Sequence, residues 1–486
     1  MRRISLVLIL AAATAARLWF LTAGVPHAVG IDEPQVVDRA IRILRTGDWN
    51  PHVFDYPTLV IYFNALLAIV RFLWGALQGE WRSLDGFSVE AIYSTMRFAA
   101  AVIGIVTVWM TYRLGTALVS RAVGLLAAAQ LAVRPMHVRE SHFALTDVPM
   151  TALTTLALWM TVRAMRLRSA RAYAWAGAAC GFAAAAKYNG GVAIVAVGAA
   201  WLLHERHAAD RGKKLFAALG AAAAAFLICA PYTILDMPAF LDGFAAQFAR
   251  FAIPPAPGAD PAWLLYLKHL SPPGLRFWVP LALVGMAVLL WHARTRLAAI
   301  PIALFAFAYF YVLSSHSHVF GRYALPLLPL LCVFTSVAAL EAVQALVRLP
   351  ALGRPLWRPL LTTAAVALLT WASIDDTVAW IDALKRPDTR TIAADWLTAN
   401  TPRGTRVAVE NSGPTYLENV GFKVAGVEVL VDHPVEFYRS RVDYLVISAA
   451  DTTRYAEYLG AGPTVFQVTP TPQRWGPPIQ IVSLRQ

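Results

Sequence analysis

Apolar runs long enough to cross a bilayer recur along this chain of 486 residues, and they constrain its fold more than any other feature. A transmembrane helix needs about 20 mostly apolar residues. With 58% of residues hydrophobic and 15% charged, the composition excludes a soluble globular protein. We predict about eleven transmembrane helices, at residues 4–22, 98–118, 121–136, 146–164, 172–187, 189–203, 214–234, 278–292, 298–313, 323–346 and 358–374.

Arginine and lysine between these runs indicate the topology, because cytoplasmic loops are enriched in both residues. If the apolar stretch from Thr58 to Leu77, which contains Asn64 and Arg71, does not cross the membrane, every strong basic cluster falls in the cytoplasm. We therefore predict that this stretch is a juxtamembrane or re-entrant helix that lies in the outer interface. The basic clusters are Arg2/Arg3, Arg113/Arg121, Arg163/Arg166/Arg168/Arg171, Arg206/Arg211/Lys213/Lys214, Arg294/Arg296 and Arg348/Arg354/Arg358.

The last part of the chain changes to the composition of a soluble domain. We predict a transmembrane domain at residues 1–374 and a C-terminal extracytoplasmic α/β domain at residues 375–486. Within the latter, the patterns predict a helix at Thr389 to Asn400 and buried strands at Thr405 to Glu410 and at Tyr444 to Ser448. The predicted fold class is an all-α polytopic membrane protein with a small α/β domain.

On this topology the outer side receives a long first loop, at about residues 23–97, and a segment at 235–277. The second segment is rich in proline and aromatic residues, among them Pro254-Pro255-Ala256-Pro257, Trp263 and Tyr266. Such a composition favours an ordered loop over a flexible tether.

The basic and sulfur-containing residues indicate neither a nucleic acid nor a metal. The net charge of +13 arises from short clusters between apolar runs, which topology explains without a nucleic-acid partner. Cys180, Cys229 and Cys332 lie far apart inside apolar stretches, without the spacing of a disulfide framework or a zinc site. We predict no metal and no cofactor. The apolar run after Arg2 and Arg3 is interpreted as a signal anchor rather than a cleaved signal peptide.

Two adjacent carboxylates, Asp32 and Glu33, follow the first predicted span at the point where the chain has left the bilayer. Such a pair is able to serve as a general base and an acceptor ligand. The alternative is a solvated acidic turn, since such pairs are common in loops.

A third acid, Asp147, begins a predicted span after an outer turn that also contains Arg139 and Glu140. A helix cap is the structural alternative, with Thr146 or Asp147 as the capping residue and Pro149 in the first turn. A cap does not explain why so many ionisable groups collect in one outer turn.

Basic residues stand at the outer ends of two other predicted spans. Lys187 separates two alanine-rich runs, and Arg322 precedes a span in which Pro326 and Pro329 predict a kink. Both cations suit a lipid phosphate, although a snorkelling lysine is the alternative for Lys187. His316 and His318 would bind a metal only with a third ligand from elsewhere.

The order of these motifs resembles the GT-C superfamily of glycosyltransferases, and in particular the branch of the protein O-mannosyltransferases and aminoarabinose transferases (glycosyltransferase family 39). The resemblance extends over about residues 1–345. Its motifs, in chain order, are Arg17, Asp32-Glu33, Phe54-Asp55-Tyr56-Pro57-Thr58-Leu59, the run from Ser141 to Pro149 with Asp147, Lys187, and Arg322-Tyr323-x-x-Pro326-x-x-Pro329.

The resemblance implies the GT-C fold, a polyprenyl-phosphate-linked sugar donor, and inverting transfer to a hydroxyl of a protein, lipid or glycan acceptor at the outer face. It also implies an integral protein of the inner or plasma membrane, surrounded by membrane lipids and active in cell-envelope or protein glycosylation. The predicted site residues are catalytic Asp32, acceptor-binding Glu33 and Asp147, and donor phosphate-binding Lys187, Arg322 and His318.

One departure from the family concerns the first loop. The family often has a His-Pro-Pro-Leu or Lys-Pro-Pro pattern there, whereas this chain reads Asp55-Tyr56-Pro57-Thr58-Leu59. The basic residue is missing, so no phosphate contact is predicted for this segment.

Two other classes of function are compatible with many membrane spans. A transporter also carries ionisable residues in its membrane region, but no internal repeat is apparent and the charges gather on one face. A noncatalytic scaffold that presents the C-terminal domain leaves the outer charged residues unexplained. A GT-C enzyme that acts on a lipid or polysaccharide is the alternative among enzymes.

Overall fold

The computed structural model describes residues 2–84, 86–251, 258, 260–271, 274, 276–315, 318–352, 355–449 and 453–485. The chain divides into two compact units. The first unit contains Met1–Trp19, Val36–Leu73 and Met96–Val378, and the second contains Phe20–Gln35, Trp74–Thr95 and Ala379–Gln486.

Helices dominate the chain up to Ala383, and each of the predicted spans coincides with a helix. These helices are α1 (Arg2–Leu18), α2 (Glu33–Thr46), α3 (Leu59–Leu77), α4 (Val89–Leu118), α5 (Arg121–Ala132), α6 (Pro135–Glu140), α7 (Asp147–Leu167), α8 (Ala170–Ala186), α9 (Ile194–His204), α10 (Arg211–Cys229), α11 (Tyr232–Leu235), α12 (Met237–Phe251), α13 (Ala262–Leu270), α14 (Trp278–Trp291), α15 (Ala293–Ser314), α16 (Leu328–Leu346) and α17 (Trp357–Ala383). Short 3-10 helices at Tyr188–Ala193 and Gly321–Leu327 precede α9 and α16.

Six helical segments of the described chain are long and apolar enough to cross a membrane, and four shorter apolar helices accompany them. The six are Leu59–Leu77, Val89–Leu118, Arg211–Cys229, Ala293–Ser314, Gly321–Leu346 and Trp357–Ala383. The predicted fold class is therefore confirmed, whereas the number of spans stays a prediction. Helix α3 meets the length and hydropathy of a span, so its interfacial position rests on the charge pattern alone.

Small residues bring α8 and α10 into backbone contact. A Cβ atom built on Gly177 would lie 2.0 Å from the carbonyl oxygen of Ala218, and one on Gly181 would lie 2.1 Å from that of Ala222. The two glycines are four residues apart and therefore lie on one face of α8. This is the small-residue spacing that lets membrane helices approach closely.

A buried glutamine ties three other helices of the first unit together. Gln130 on α5 donates to the hydroxyl of Ser336 on α16 at 2.9 Å. Its side-chain oxygen accepts hydrogen bonds from Trp278 on α14 at 3.0 Å and from Thr335 at 2.9 Å. Because an unpaired amide is costly in an apolar bundle, this network fixes how the helices pair.

The second unit contains a five-stranded sheet in the order β2-β1-β3-β5-β4. β1 is parallel to β2 and β3, whereas β5 is antiparallel to β3 and β4. Its elements are α18 (Thr389–Asn400), β1 (Arg406–Glu410), β2 (Lys423–Val427), α19 (Val435–Arg439), β3 (Tyr444–Ile447), α20 (Ala456–Leu459), β4 (Thr464–Val468) and β5 (Ile479–Ser483). The predicted helix and both predicted strands are confirmed.

Successive side chains of β1 point to opposite faces of this sheet, and apolar residues pack on both faces. Val407 and Val409 pack with Leu397 of α18 on one face, and Ala408 packs with Tyr438 on the other. A sheet with two apolar layers carries its own hydrophobic core. The predicted domain boundary at 374/375 stays a prediction, and α17 continues past it to Ala383.

Replacement of Gly177 by alanine tests the close packing of α8 and α10. The new methyl group would overlap the Ala218 carbonyl, so we expect a loss of about 1 to 3 kcal/mol and a lower unfolding temperature in detergent. Gly220→Ala on α10 is the control, because nothing lies within 4 Å of the added atom and alanine favours the helix. Equal thermal stability of Gly177→Ala and the wild type would contradict the packing.

Candidate functional site

Three of the predicted site residues of the first unit form one ion cluster, which consists of Asp147, Lys187 and Arg322. The ammonium of Lys187 lies 2.6 Å from one carboxylate oxygen of Asp147, and Nε of Arg322 lies 3.6 Å from the other. The Asp147 side chain is 3% exposed. A carboxylate so deeply buried requires a cationic partner, and here two of them converge on it.

The end of α8 directs Lys187 toward Asp147. The Lys187 amide donates the last hydrogen bond of α8, to the carbonyl of Ala183. The backbone of Lys187 itself is extended, with φ −159° and ψ 133°. The chain then turns into a 3-10 helix, where a Cβ on Gly190 would lie 2.3 Å from the Ala183 carbonyl oxygen. Glycine is therefore required at the turn that leaves the lysine at the helix end.

Asp147 is the first residue of α7. The capping alternative assigned a side-chain cap to Thr146 or to Asp147, but Thr146 at the N-cap position makes no side-chain capping hydrogen bond. The Asp147 carboxylate is bound to Lys187 instead. The helix dipole also favours an acid in the first turn. Both the dipole of α7 and the contact with Lys187 therefore stabilise the negative charge of Asp147.

Tyrosine side chains surround the ion cluster; Tyr56 and Tyr323 lie in the predicted motifs without an assigned role, and Tyr309 was not singled out. The Lys187 ammonium lies 3.9 Å from the centroid of the Tyr323 ring and 5.8 Å from that of Tyr56. The hydroxyl of Tyr309 donates to the Tyr323 carbonyl at 3.0 Å, and Asn189 donates to that hydroxyl at 2.9 Å. Aromatic faces attract cations, so they help hold Lys187 in place.

The segment before α16 presents Arg322. It lies in the 3-10 helix Gly321–Leu327, and Pro329 occupies the first turn of α16. The predicted kink therefore takes the form of a tighter helix before the α-helix begins. His318 is exposed, and His316 lies outside the described residues. Among the described residues, no group of three or more His, Cys, Asp and Glu is arranged to hold a metal ion.

A second ion pair lies at the end of α6, shortly before α7. Arg139 and Glu140 contact each other at 2.8 Å, with side chains 47% and 6% exposed. Burial raises the pKa of Glu140, and the charge of nearby Asp147 raises it further, while Arg139 opposes both effects. The Asp147 carboxylate therefore has an acidic neighbour as well as its two cations.

Two motif residues have structural partners. The Arg17 guanidinium is fully buried and donates to the carbonyls of Ala132 at 2.9 Å and Leu131 at 3.1 Å, which ties α1 to α5. Asp55 accepts two hydrogen bonds from Arg39, at 2.7 and 3.2 Å.

Asp32 and Glu33 belong to the second unit. Glu33 is buried and begins α2, and its Oε2 accepts a hydrogen bond from the amide of Gly30 at 2.9 Å. This contact stabilises the start of the helix as the acid of a capping box does. Asp32 is partly exposed and immediately precedes α2, so it is the more accessible of the two carboxylates.

The comparisons with known proteins agree with the fold. Residues 90–234, which include Asp147 and Lys187, match the model of the dolichyl-phosphate-mannose-protein mannosyltransferase family. A search of curated protein sequences found no match.

Solved structures extend the likeness to most of the chain. ArnT from Cupriavidus metallidurans, bound to undecaprenyl phosphate, superposes with a TM-score of 0.62 at 17% identity, over 99% of this chain and 98% of that one. The oligosaccharyltransferase of Archaeoglobus fulgidus in its apo form superposes with a TM-score of 0.59 at 12% identity, over 92% of this chain and 69% of that one. The predicted resemblance is therefore confirmed at the level of the GT-C fold, which the chain shares with these two enzymes over most of its length, and residues 90–234 also match the mannosyltransferase family model.

Proposed function

We propose that the protein transfers a sugar from a polyprenyl-phosphate carrier to an acceptor hydroxyl on the extracytoplasmic face of the inner or plasma membrane, with inversion. The observation that carries this proposal is the ion cluster, in which Lys187 and Arg322 converge on the single carboxylate of Asp147. The three side chains together carry one net positive charge. A lipid phosphate that enters such a cluster finds two cations already oriented.

The donor class is supported by the relatives. ArnT was solved with undecaprenyl phosphate bound, and the Archaeoglobus fulgidus enzyme AglB was solved with dolichol phosphate and an inhibitory peptide. We extend the lipid phosphate of those proteins to this chain. The acceptor is proposed only as a hydroxyl group of a protein, lipid or glycan.

In the proposed reaction, Asp32 accepts the proton of the acceptor hydroxyl as its oxygen attacks the anomeric carbon. The bond from that carbon to the phosphate oxygen breaks on the opposite side, so the configuration inverts. Lys187 and Arg322 stabilise the negative charge that the departing phosphate gains, and His318 is assigned to the same phosphate. One such contact in a water-poor site contributes about 3 kcal/mol.

We assign binding of the acceptor to the two other acids, Glu33 and Asp147. Glu33 follows the proposed base directly, and its bond to Gly30 fixes the turn that carries Asp32. Asp147 stays a proposed acceptor contact, and its two cationic partners hold its carboxylate in one orientation.

The arrangement of charges along two helices supports an extracytoplasmic site. Asp147 begins α7 and Lys187 follows the last residue of α8, whereas Arg166 and Arg171 lie near the opposite ends of these helices. Because loops rich in arginine face the cytoplasm, the ends that carry the ion cluster face outward in this proposal.

The replacement Asp32→Asn tests the proposed base. It removes the proton acceptor without changing size, so we expect kcat to fall by a factor of about 100 to 10,000 while donor binding is retained. The assay uses purified protein, a panel of radiolabelled polyprenyl-phosphate sugars, and crude envelope acceptors. Asp38→Asn, which changes an exposed acid on α2, is the control.

Two results would argue against this assignment. Near-normal turnover of Asp32→Asn would exclude the residue as the base. Release of no label by the wild-type protein, together with substrate flux in proteoliposomes, would favour a transporter.

The replacement Lys187→Met tests the phosphate contact. It removes a cation while Arg322 still neutralises Asp147, so we expect binding of undecaprenyl phosphate to weaken by about 10- to 100-fold, the size of one charged hydrogen bond. The measurement is inhibition of sugar transfer by added undecaprenyl phosphate. Lys268→Met is the matched control, because that lysine is 58% exposed and pairs with Asp260. Equal inhibition of Lys187→Met and the wild type would remove Lys187 from the phosphate site.

A further inference from the structure

We propose that the C-terminal domain positions the proposed base, because Arg390 and Thr415 hold the backbone of residues 26–29, just before Asp32. This inference rests on the proposed function, since it gives Asp32 its role. All of these residues belong to the second unit, although they are separated by more than half of the chain.

Arg390, in the first turn of α18, donates to two consecutive carbonyls. Its Nη1 lies 2.8 Å from the oxygen of Val29, and its Nη2 lies 3.3 Å from that of Ala28. Both of these residues are buried, so their carbonyls need partners within the protein. The guanidinium supplies one partner for each.

Asp388 orients the arginine. Its Oδ1 accepts from Nε of Arg390 at 3.0 Å, and its Oδ2 accepts from Nη2 at 2.9 Å. The same Oδ1 also caps α18 by accepting the Arg390 amide at 2.8 Å. The direction of the guanidinium is thus fixed by the start of the helix, before it meets the loop.

Thr415, in the loop after β1, holds the preceding residues. Its amide donates to the His27 carbonyl at 3.0 Å, and its own carbonyl contacts His27 Nδ1 at 2.8 Å. Its hydroxyl donates to the Pro26 carbonyl at 2.6 Å. Residues 26 and 27 are therefore joined to the loop after β1 by three hydrogen bonds.

The next fixed point on the chain is the bond between Gly30 and Glu33. Ile31 and Asp32 consequently lie between a backbone held by the C-terminal domain and a helix start held by its own acid. The two apolar layers of the sheet are complete without these contacts. A displacement of a catalytic group by about 1 Å can lower the rate by about 100-fold. Contacts that fix the backbone before Asp32 therefore favour turnover.

The first test replaces Arg390 in the full-length protein. We expect Arg390→Ala to lower kcat by about 100-fold with the donor KM within about twofold of the wild type. We expect Arg390→Lys to rescue poorly, because a single ammonium does not reproduce the planar fork. Arg406→Ala is the matched control, because the side chain of Arg406 donates to Asp443 and Ser440 in the same domain.

Thr415 provides a second pair of variants. Thr415→Val removes the hydroxyl that binds Pro26 and keeps the backbone bonds to His27, so a smaller loss of kcat is expected. Thr415→Ser keeps the hydroxyl and should restore the rate. Thr398→Val is the control, because the hydroxyl of Thr398 donates to the Ala394 carbonyl within α18.

Amide hydrogen exchange of residues 24–33 provides a readout that does not depend on catalysis. We expect at least about 10-fold faster exchange of this segment in Arg390→Ala and unchanged exchange in Arg406→Ala. Unchanged exchange in Arg390→Ala overturns the inference whatever the activity, and so does faster exchange with normal kcat in an enzyme that needs Asp32. If Asp32→Asn is fully active, the proposed base fails, and the exchange experiment alone decides whether the domain holds the loop.

Discussion

The pairing of the buried Asp147 carboxylate with Lys187 and Arg322 is the interaction on which the first unit depends. A charge with so little exposure is tolerated only with partners, and its partners come from the end of α8 and from the turn before α16. The need to pair this one charge therefore fixes where three separate segments of the chain meet. Tyr323 and the 3-10 helices Tyr188–Ala193 and Gly321–Leu327 lie at this meeting point.

Much of the fold was predictable, because the order of apolar runs and basic clusters along the sequence indicates where the helices lie. Every predicted span coincides with a helix, and the predicted elements at residues 389–400, 405–410 and 444–448 were confirmed. The grouping of Asp147, Lys187 and Arg322 at one end of the bundle followed from alternation of the spans. Local patterns carry this information, since helix length and basic loops are local properties.

The geometry within the site was not predictable in the same way. The direction of Lys187 depends on a turn that only Gly190 permits, and Tyr309 is indistinguishable from its apolar neighbours in the sequence of α15. Glu33 was assigned a ligand role, and its bond to Gly30 became visible only with the start of α2. No sequence pattern indicated that Arg390 binds the backbone of Val29 and Ala28, because these residues are 361 and 362 positions away from it. Contacts between distant segments leave no periodic pattern.

The glycine face of α8 has a consequence for the lysine at its end. Where two backbones touch, no side chain is available to change rotamer, and acyl chains are excluded from the space between them. A thicker or thinner bilayer can therefore tilt α8 and α10 as a pair but cannot alter their separation. Since Lys187 follows the last residue of α8, we expect the helix pair to carry this lysine as a unit and to present the same charged group in membranes of different thickness.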